Sequence, residues 1–135
     1  MSLNLFAYGT LVFPEIFRQV TGAAAEPESA YLDDYVCRRL RGRPYPGALP
    51  RPGAVTRGVL YPGLDAATWK LLDAYEASCY ERRLVEVRTA RGTVSAHAYV
   101  LPSRKRYLLS HHPWRPVGFD PAHWSQALAT GSAPR

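Results

Sequence analysis

The apolar run from Leu3 to Tyr8, broken only by Asn4, stops at Gly9. A short run of this kind, ended by glycine, predicts a buried strand. Pro14 suits the first turn of a helix and Gly22 suits its C-terminal cap, which predicts a helix from Pro14 to Thr21. Ala30 to Leu40 reads as a strand, with Tyr31, Leu32, Tyr35 and Val36 as strand formers. Arg41 to Gly53 holds four prolines and three glycines and reads as an irregular loop with short extended pieces. Ala54 to Tyr61 reads as a further strand, closed by Pro62 and Gly63.

Asp65 to Glu76 is the clearest helix, with Asp65 as N-cap and good helix formers behind it. Leu84–Arg88 and Thr93–Leu101 read as two strands joined at Ala90-Arg91-Gly92. In the second, Val94, Ala96, Ala98 and Val100 share one face, while Thr93, Ser95, His97 and Tyr99 share the other. That alternation suits an antiparallel hairpin with one face in a core or cleft. Arg104–Leu109 and Pro121–Leu128 read as short helices, and Thr130–Arg135 as a frayed tail. Strands with separated short helices predict an α+β fold. With no internal repeat or linker, residues 1–135 read as a single domain.

Composition narrows the function classes. With 47% hydrophobic and 21% charged residues, the chain is neither disordered nor a coiled coil. No apolar run approaches the length of a membrane span, and the N-terminus lacks the basic start of a signal peptide. The expected setting is the cytoplasm. The net charge of +6 comes from scattered arginines without a repeated aromatic array, which argues against nucleic acid while permitting an anionic ligand. The cluster Arg38-Arg39-Leu40-Arg41-Gly42-Arg43 alternates faces in a strand and reads as solvated surface. Cys37 and Cys79 make neither a disulfide framework nor a zinc site, and read as reduced thiols. His111-His112 lacks ligand partners at metal-site spacing. Trp114 and Trp124 read as residues that pack the C-terminal segment onto the rest.

Two features point to chemistry. On a helical wheel Glu76 falls between Trp69 and Leu72 in the apolar stripe, with Lys70 and Ala74 opposite. Burying a carboxylate without partners is unfavourable. Desolvation would raise its pKa toward the range useful for proton transfer near neutral pH. The other reading is an ion pair with Arg82 or Arg83 that only holds the helix end. The second feature is Tyr8-Gly9-Thr10-Leu11, where a strand gives way to a helix. Glycine allows a sharp turn there, and consecutive N–H groups near a helix start can hold a carboxylate, phosphate or oxyanion. The glycine spacing and the lysine of a P-loop are absent.

Taken together with their separation, these features resemble the gamma-glutamylcyclotransferase-like family, which includes the AIG2-like proteins and gamma-glutamylamine cyclotransferase. The carrying blocks are Phe6-Ala7-Tyr8-Gly9-Thr10-Leu11, Tyr45-Pro46-Gly47-Ala48, Gly58-Val59-Leu60-Tyr61, Leu72-Asp73-Ala74-Tyr75-Glu76-Ala77, Tyr80-Glu81-Arg82-Arg83 and Ala98-Tyr99-Val100. They cover about residues 3–101, leaving 102–135 as an extension that packs on the barrel. Ala77 stands where many family members have glycine.

The resemblance implies a small mixed β-barrel flanked by short helices, with a cavity over the Tyr8-to-Leu11 turn. It implies Glu76 as the proton shuttle, with no metal and no organic cofactor. The expected reaction is attack of a γ-glutamyl compound's own α-amine on its side-chain carbonyl, releasing 5-oxoproline and an amine. In that reaction Gly9, Thr10 and Leu11 are expected to hold the glutamyl carboxylate or carbonyl oxygen. Tyr8, Tyr45, Tyr80 and Tyr99 are expected to supply hydroxyl contacts or apolar walls. The expected partner is a small γ-glutamyl molecule, taken up by a monomer or weak homodimer. The alternative on the same scaffold is an idle module that binds such a ligand without turnover.

Overall fold

A computed structural model describes residues 3–131. Six strands and three helices follow in the order β1 (Leu3–Ala7), α1 (Pro14–Thr21), β2 (Glu28–Leu40), β3 (Pro46–Leu64), α2 (Ala66–Glu76), β4 (Glu81–Thr89), β5 (Gly92–Val100), β6 (Leu109–Pro113) and α3 (Pro121–Thr130). Single 3-10 turns at Thr10–Val12, Ser103–Leu108 and Pro116–Gly118 join some of them.

The strands form one sheet in the order β3-β1-β5-β4-β2-β6, and a further pairing of β2 with β3 closes it on itself. β1 runs parallel to β5 and antiparallel to β3, so the barrel is mixed. The fold is therefore α+β, as expected. Residues 1–2 and 132–135, the latter holding most of the expected frayed tail, lie outside the described residues.

Burial on both faces explains the apolar run of β1. Phe6 joins Leu32, Leu60, Val87, Ala96 and Ala98 in one cluster drawn from all five barrel strands. The alternate residues Leu5 and Ala7 join a second cluster with Ile16, Phe17, Trp69 and Leu72 under the helices. Pairing in β4–β5 is continuous from Glu81–Val100 to Thr89–Gly92, so the hairpin is longer than its apolar alternation alone predicts.

The segment read as an irregular loop is corrected. From Pro46 onward it is strand, pairing with β2 from Arg39–Pro46 to Tyr35–Pro50. Its prolines tolerate this because Pro46 and Pro50 have the same parity as Ala48, whose carbonyl accepts from Leu101 N at 3.0 Å, away from β2. Their missing N–H groups thus fall on the edge that β2 does not use. Residues 41–45 are turn and bend, as expected, and within β3 the pairing with β2 breaks only at residues 51–54. There Gly53 has φ of 84° and Asp34 of β2 has φ of 62°, and Gly53 N donates to Asp34 Oδ1 at 2.9 Å. Aspartate tolerates this left-handed backbone better than most residues. Leu109–Pro113, for which the sequence showed no strand pattern, adds to the edge of β2 as β6.

Gly58 lets β1 and β3 approach. A Cβ placed on it would lie 2.3 Å from the Ala7 carbonyl oxygen and 2.8 Å from the Phe6 ring. Ala7 leads directly into the turn at Gly9, so this close approach also sets where that turn stands.

Candidate active site

Helix α2 starts where Asp65 Oδ1 accepts from Thr68 N at 2.8 Å. It buries Trp69 and Leu72 against the outside of the barrel. Full burial of a leucine contributes about 1.5–3 kcal/mol, so this face holds the helix firmly. Glu76 follows on the same face as the helix's last residue, and it is only 6% exposed. Its carbonyl accepts from both Cys79 N at 3.2 Å and Tyr80 N at 3.1 Å. The helix end is therefore tied down rather than frayed. The ion pairs of the two neighbouring arginines run elsewhere: Arg82 to Asp73 at 3.7 Å and Arg83 to Glu81 at 3.1 Å.

Glu76 lines a narrow cavity of about 30 Å³ at the junction of the two apolar clusters. All four residues of the turn Tyr8-Gly9-Thr10-Leu11 line the same cavity. Tyr45, Tyr80 and Tyr99 line it as well, so the cavity gathers every site residue expected from the sequence. The turn is a 3-10 turn in which Val12 N donates to Gly9 O at 3.0 Å. Tyr61 Oη donates to Leu11 O at 2.7 Å and fixes its far end. A Cβ on Gly9 would meet the Pro46 ring at 3.3 Å, so glycine keeps the turn against β3.

The hydroxyls of Tyr8, Tyr80 and Tyr99 are already donors to the protein. Tyr8 Oη donates to Tyr99 O at 2.5 Å, Tyr99 Oη to Asp73 Oδ1 at 2.6 Å, and Tyr80 Oη to Pro46 O. As they stand, these three rings can offer a ligand apolar walls and acceptor oxygens rather than hydroxyl hydrogens. Burial, with lesser contributions from the charges of Cys37 and Glu76, pushes the Tyr8 phenol well above its ordinary value. Burial, followed by the hydrogen bond to Asp73, does the same to Tyr99. Cys37, also raised by burial to about 12, is no thiolate at neutral pH.

Several cavity neighbours are not apparent as site residues in the sequence. Pro46 supplies both a wall and the acceptor for Tyr80. Tyr75, beside Glu76 in sequence, meets Thr10 Oγ1 at 2.8 Å through its hydroxyl, a contact across 65 residues that no local pattern reports. A second, wider cleft of about 360 Å³ is lined by Arg39, Trp114, Phe119, Asp120 and Trp124 among others. Neither Glu76 nor the glycine turn reaches it, so the residues expected at the site gather in the first cavity alone. Among the described residues, no group of three or more His, Cys, Asp or Glu side chains could hold a metal ion. No described helix is long and apolar enough to cross a membrane.

Comparison with known proteins gives the same picture. AIG2-like protein C of Arabidopsis thaliana is 34% identical over 84 residues, which is 62% of this chain and 49% of that protein. The chain thus spans about half the length of the curated relatives it matches. A solution structure from Arabidopsis thaliana superposes with a TM-score of 0.74 at 24% identity, covering 97% of this chain and 80% of the other. A structure titled gamma-glutamyl cyclotransferase superposes with a TM-score of 0.68 at 20% identity, covering 76% of this chain and 68% of the other. At these identities the two superpositions show a shared fold. The family model described as gamma-glutamyl cyclotransferase, AIG2-like, matches residues 5–116, running past Pro102 and stopping short of α3. This chain belongs to the gamma-glutamyl cyclotransferase, AIG2-like family.

Proposed function

We propose that the cavity binds the γ-glutamyl part of a γ-glutamyl amine or peptide and closes it to 5-oxoproline. The observation that carries this reading is the burial of the Glu76 carboxyl on the wall of a narrow cavity that a glycine turn also lines. Family membership supports the reaction class.

The substrate brings its own nucleophile, so the protein's first task is orientation. Folding the glutamyl chain so that its α-amine meets the side-chain carbonyl replaces a random search with a near-attack geometry. Tyr8, Tyr45, Tyr80 and Tyr99 confine that chain, and N–H groups of Gly9, Thr10 and Leu11 hold its carboxylate or its carbonyl oxygen. Glu76 takes a proton from the α-ammonium. The freed amine forms the ring C–N bond at the side-chain carbonyl carbon. The bond from that carbon to the leaving nitrogen breaks as Glu76 returns the proton to it, and the ring nitrogen sheds its second proton, which the released amine takes up to leave as an ammonium. One carboxyl thereby serves as base and then acid, and no net proton is gained or lost.

The test is release of 5-oxoproline from a panel of γ-glutamyl amino acids, γ-glutamyl amines and γ-glutamyl peptides. Turnover of at least one member is expected. Binding of panel members without 5-oxoproline release would instead establish the idle binding module.

A further inference from the structure

The glycine turn is gripped from two sides. Tyr61 holds Leu11 O, and Tyr75 meets Thr10 Oγ1 from the end of α2. A third residue stands behind Tyr75: Trp124 Nε1 donates to its hydroxyl oxygen at 2.9 Å. An indole nitrogen is a donor only, so the direction of this bond is fixed. A hydroxyl that accepts a hydrogen bond becomes a better donor, which polarises the chain from Trp124 through Tyr75 toward Thr10. Thr10 is 4% exposed and Trp124 3% exposed. Water does not readily replace a link between such ends, so losing it leaves polar atoms unsatisfied.

Trp124 belongs to α3, beyond residues 5–116 of the family match. α3 is also tied to α1 without Trp124: Gln19 Nε2 donates to Ser125 O at 2.8 Å, and Ser125 Oγ donates to Gln19 Oε1 at 2.6 Å. The Trp124 ring packs edge-on against Tyr45 and Phe119, with centroids 5.7 and 5.9 Å away. Anchoring and ring packing are therefore separable from the N–H link.

We propose that Trp124 is a positioning residue for the substrate-holding turn. Acting through Tyr75, its N–H fixes the Thr10 side chain and keeps Gly9–Leu11 in the orientation that grips the glutamyl group. This rests on the cyclotransferase reading of the cavity. Tyr75 and Glu76 then divide the end of α2 between them: Glu76 lines the cavity, while Tyr75, which does not, holds the glycine turn in place.

Trp124→Phe keeps an aromatic ring and removes the donor together with the pyrrole half of the indole, whereas Tyr75→Phe removes a hydroxyl alone. The KM of Trp124→Phe for a γ-glutamyl substrate should rise about 3- to 10-fold, the equivalent of one net hydrogen bond, with kcat nearly unchanged. Tyr75→Phe should raise KM similarly, and the double variant should add nothing, because both changes break one link. Gln19→Ala loosens α3 without touching the link and should leave KM as it is. An unchanged KM in Trp124→Phe, or effects of Trp124→Phe and Tyr75→Phe that multiply, overturns the proposal. Amide hydrogen exchange decides the same point without turnover. Exchange at Gly9, Thr10 and Leu11 should quicken in Trp124→Phe by about 3- to 10-fold and not in Gln19→Ala. Unchanged exchange there refutes the positioning role. A folded wild type that releases no 5-oxoproline defeats only the cyclotransferase reading, and the exchange rates still judge Trp124.

Discussion

On the outside of the barrel, Asp33 of β2 faces Arg88 of β4, with Nε–Oδ2 of 2.7 Å and Nη2–Oδ1 of 2.9 Å. At the end of α2, Glu76 is buried on a cavity wall among tyrosines. The two carboxyls differ by one methylene and have opposite surroundings. Asp33 is solvated, and its hydrogen bonds from Arg88, followed by that guanidinium's charge, lower its pKa. It stays ionised through the neutral range and can only be a fixed charge. Glu76 instead shares its cavity with Tyr8 and Tyr99, whose phenols burial raises above their ordinary value. The contrast teaches that what surrounds a carboxyl, rather than its residue type, decides what it can do.

The hardest blow to this contrast is Glu76→Gln. Glutamine keeps the shape and one acceptor while losing the ability to carry a proton. The rate of 5-oxoproline release should fall by about 10²–10⁴-fold, with the fold intact and substrate binding less affected. Near-normal turnover in a folded mutant would reduce Glu76 to a structural residue. If Glu76 served mainly to hold the helix end, the thermal midpoint would drop while most activity remained.

Alkaline titration sharpens the contrast through four acids of the fold that burial raises, two of which, Tyr8 and Tyr99, line the cavity with Glu76. Tyr8, Tyr61 and Tyr99 are all raised above the ordinary phenol value of 10.0, chiefly by burial, and Cys37 is raised from 9.0 to about 12. The unfolded chain releases these protons near pH 9–10 while the folded chain keeps them. Their contribution to stability is therefore complete below pH 9 and is lost as pH climbs toward the folded values. Urea midpoints from pH 8 to 11 should hold steady at first and then fall ever more steeply. Phenolate absorbance should show these three tyrosines titrating only as the protein unfolds. A flat midpoint to pH 11 would mean that the surroundings of Glu76 are wetter than this packing implies.

Much of this was legible in the sequence because it is written locally. Pro14 and Gly22 bracket α1 as they would any short helix, and Asp65 caps α2 as its position suggests. Glu76 stands out because an acid interrupts an apolar stripe, and the glycine turn because a strand stops there. Other features have no local signature. Pro46 and Pro50 look like loop residues, and only their parity relative to the edge of β3 that β2 does not use makes them compatible with a strand. β6 is read as polar loop because its pairing partner β2 lies some 70 residues back. The link from Trp124 to Thr10 spans nearly the whole chain, and neither end carries an unusual residue pattern.

The smallest expected effect comes from the other carboxyl. Asp33→Asn removes a charge that holds Arg88 in two hydrogen bonds, yet both partners are about half exposed at their side chains. Solvent screens such a pair, and surface ion pairs contribute little even with good geometry. 5-Oxoproline release should change by less than about 2-fold, and the thermal midpoint at pH 7 by about 2 °C or less. The pH dependence of that small difference has a definite sign. A carboxyl whose folded pKa is lowered stabilises the fold above its ordinary value of 3.8, and that stabilisation is lost as pH falls through the lowered folded value. Wild type and Asp33→Asn should therefore differ slightly at pH 7 and converge in strong acid, as followed by thermal melts across that range. A loss of activity as large as that of Glu76→Gln would mean that the outer face of the barrel takes part in the chemistry, and the distinction between the two carboxyls would fail.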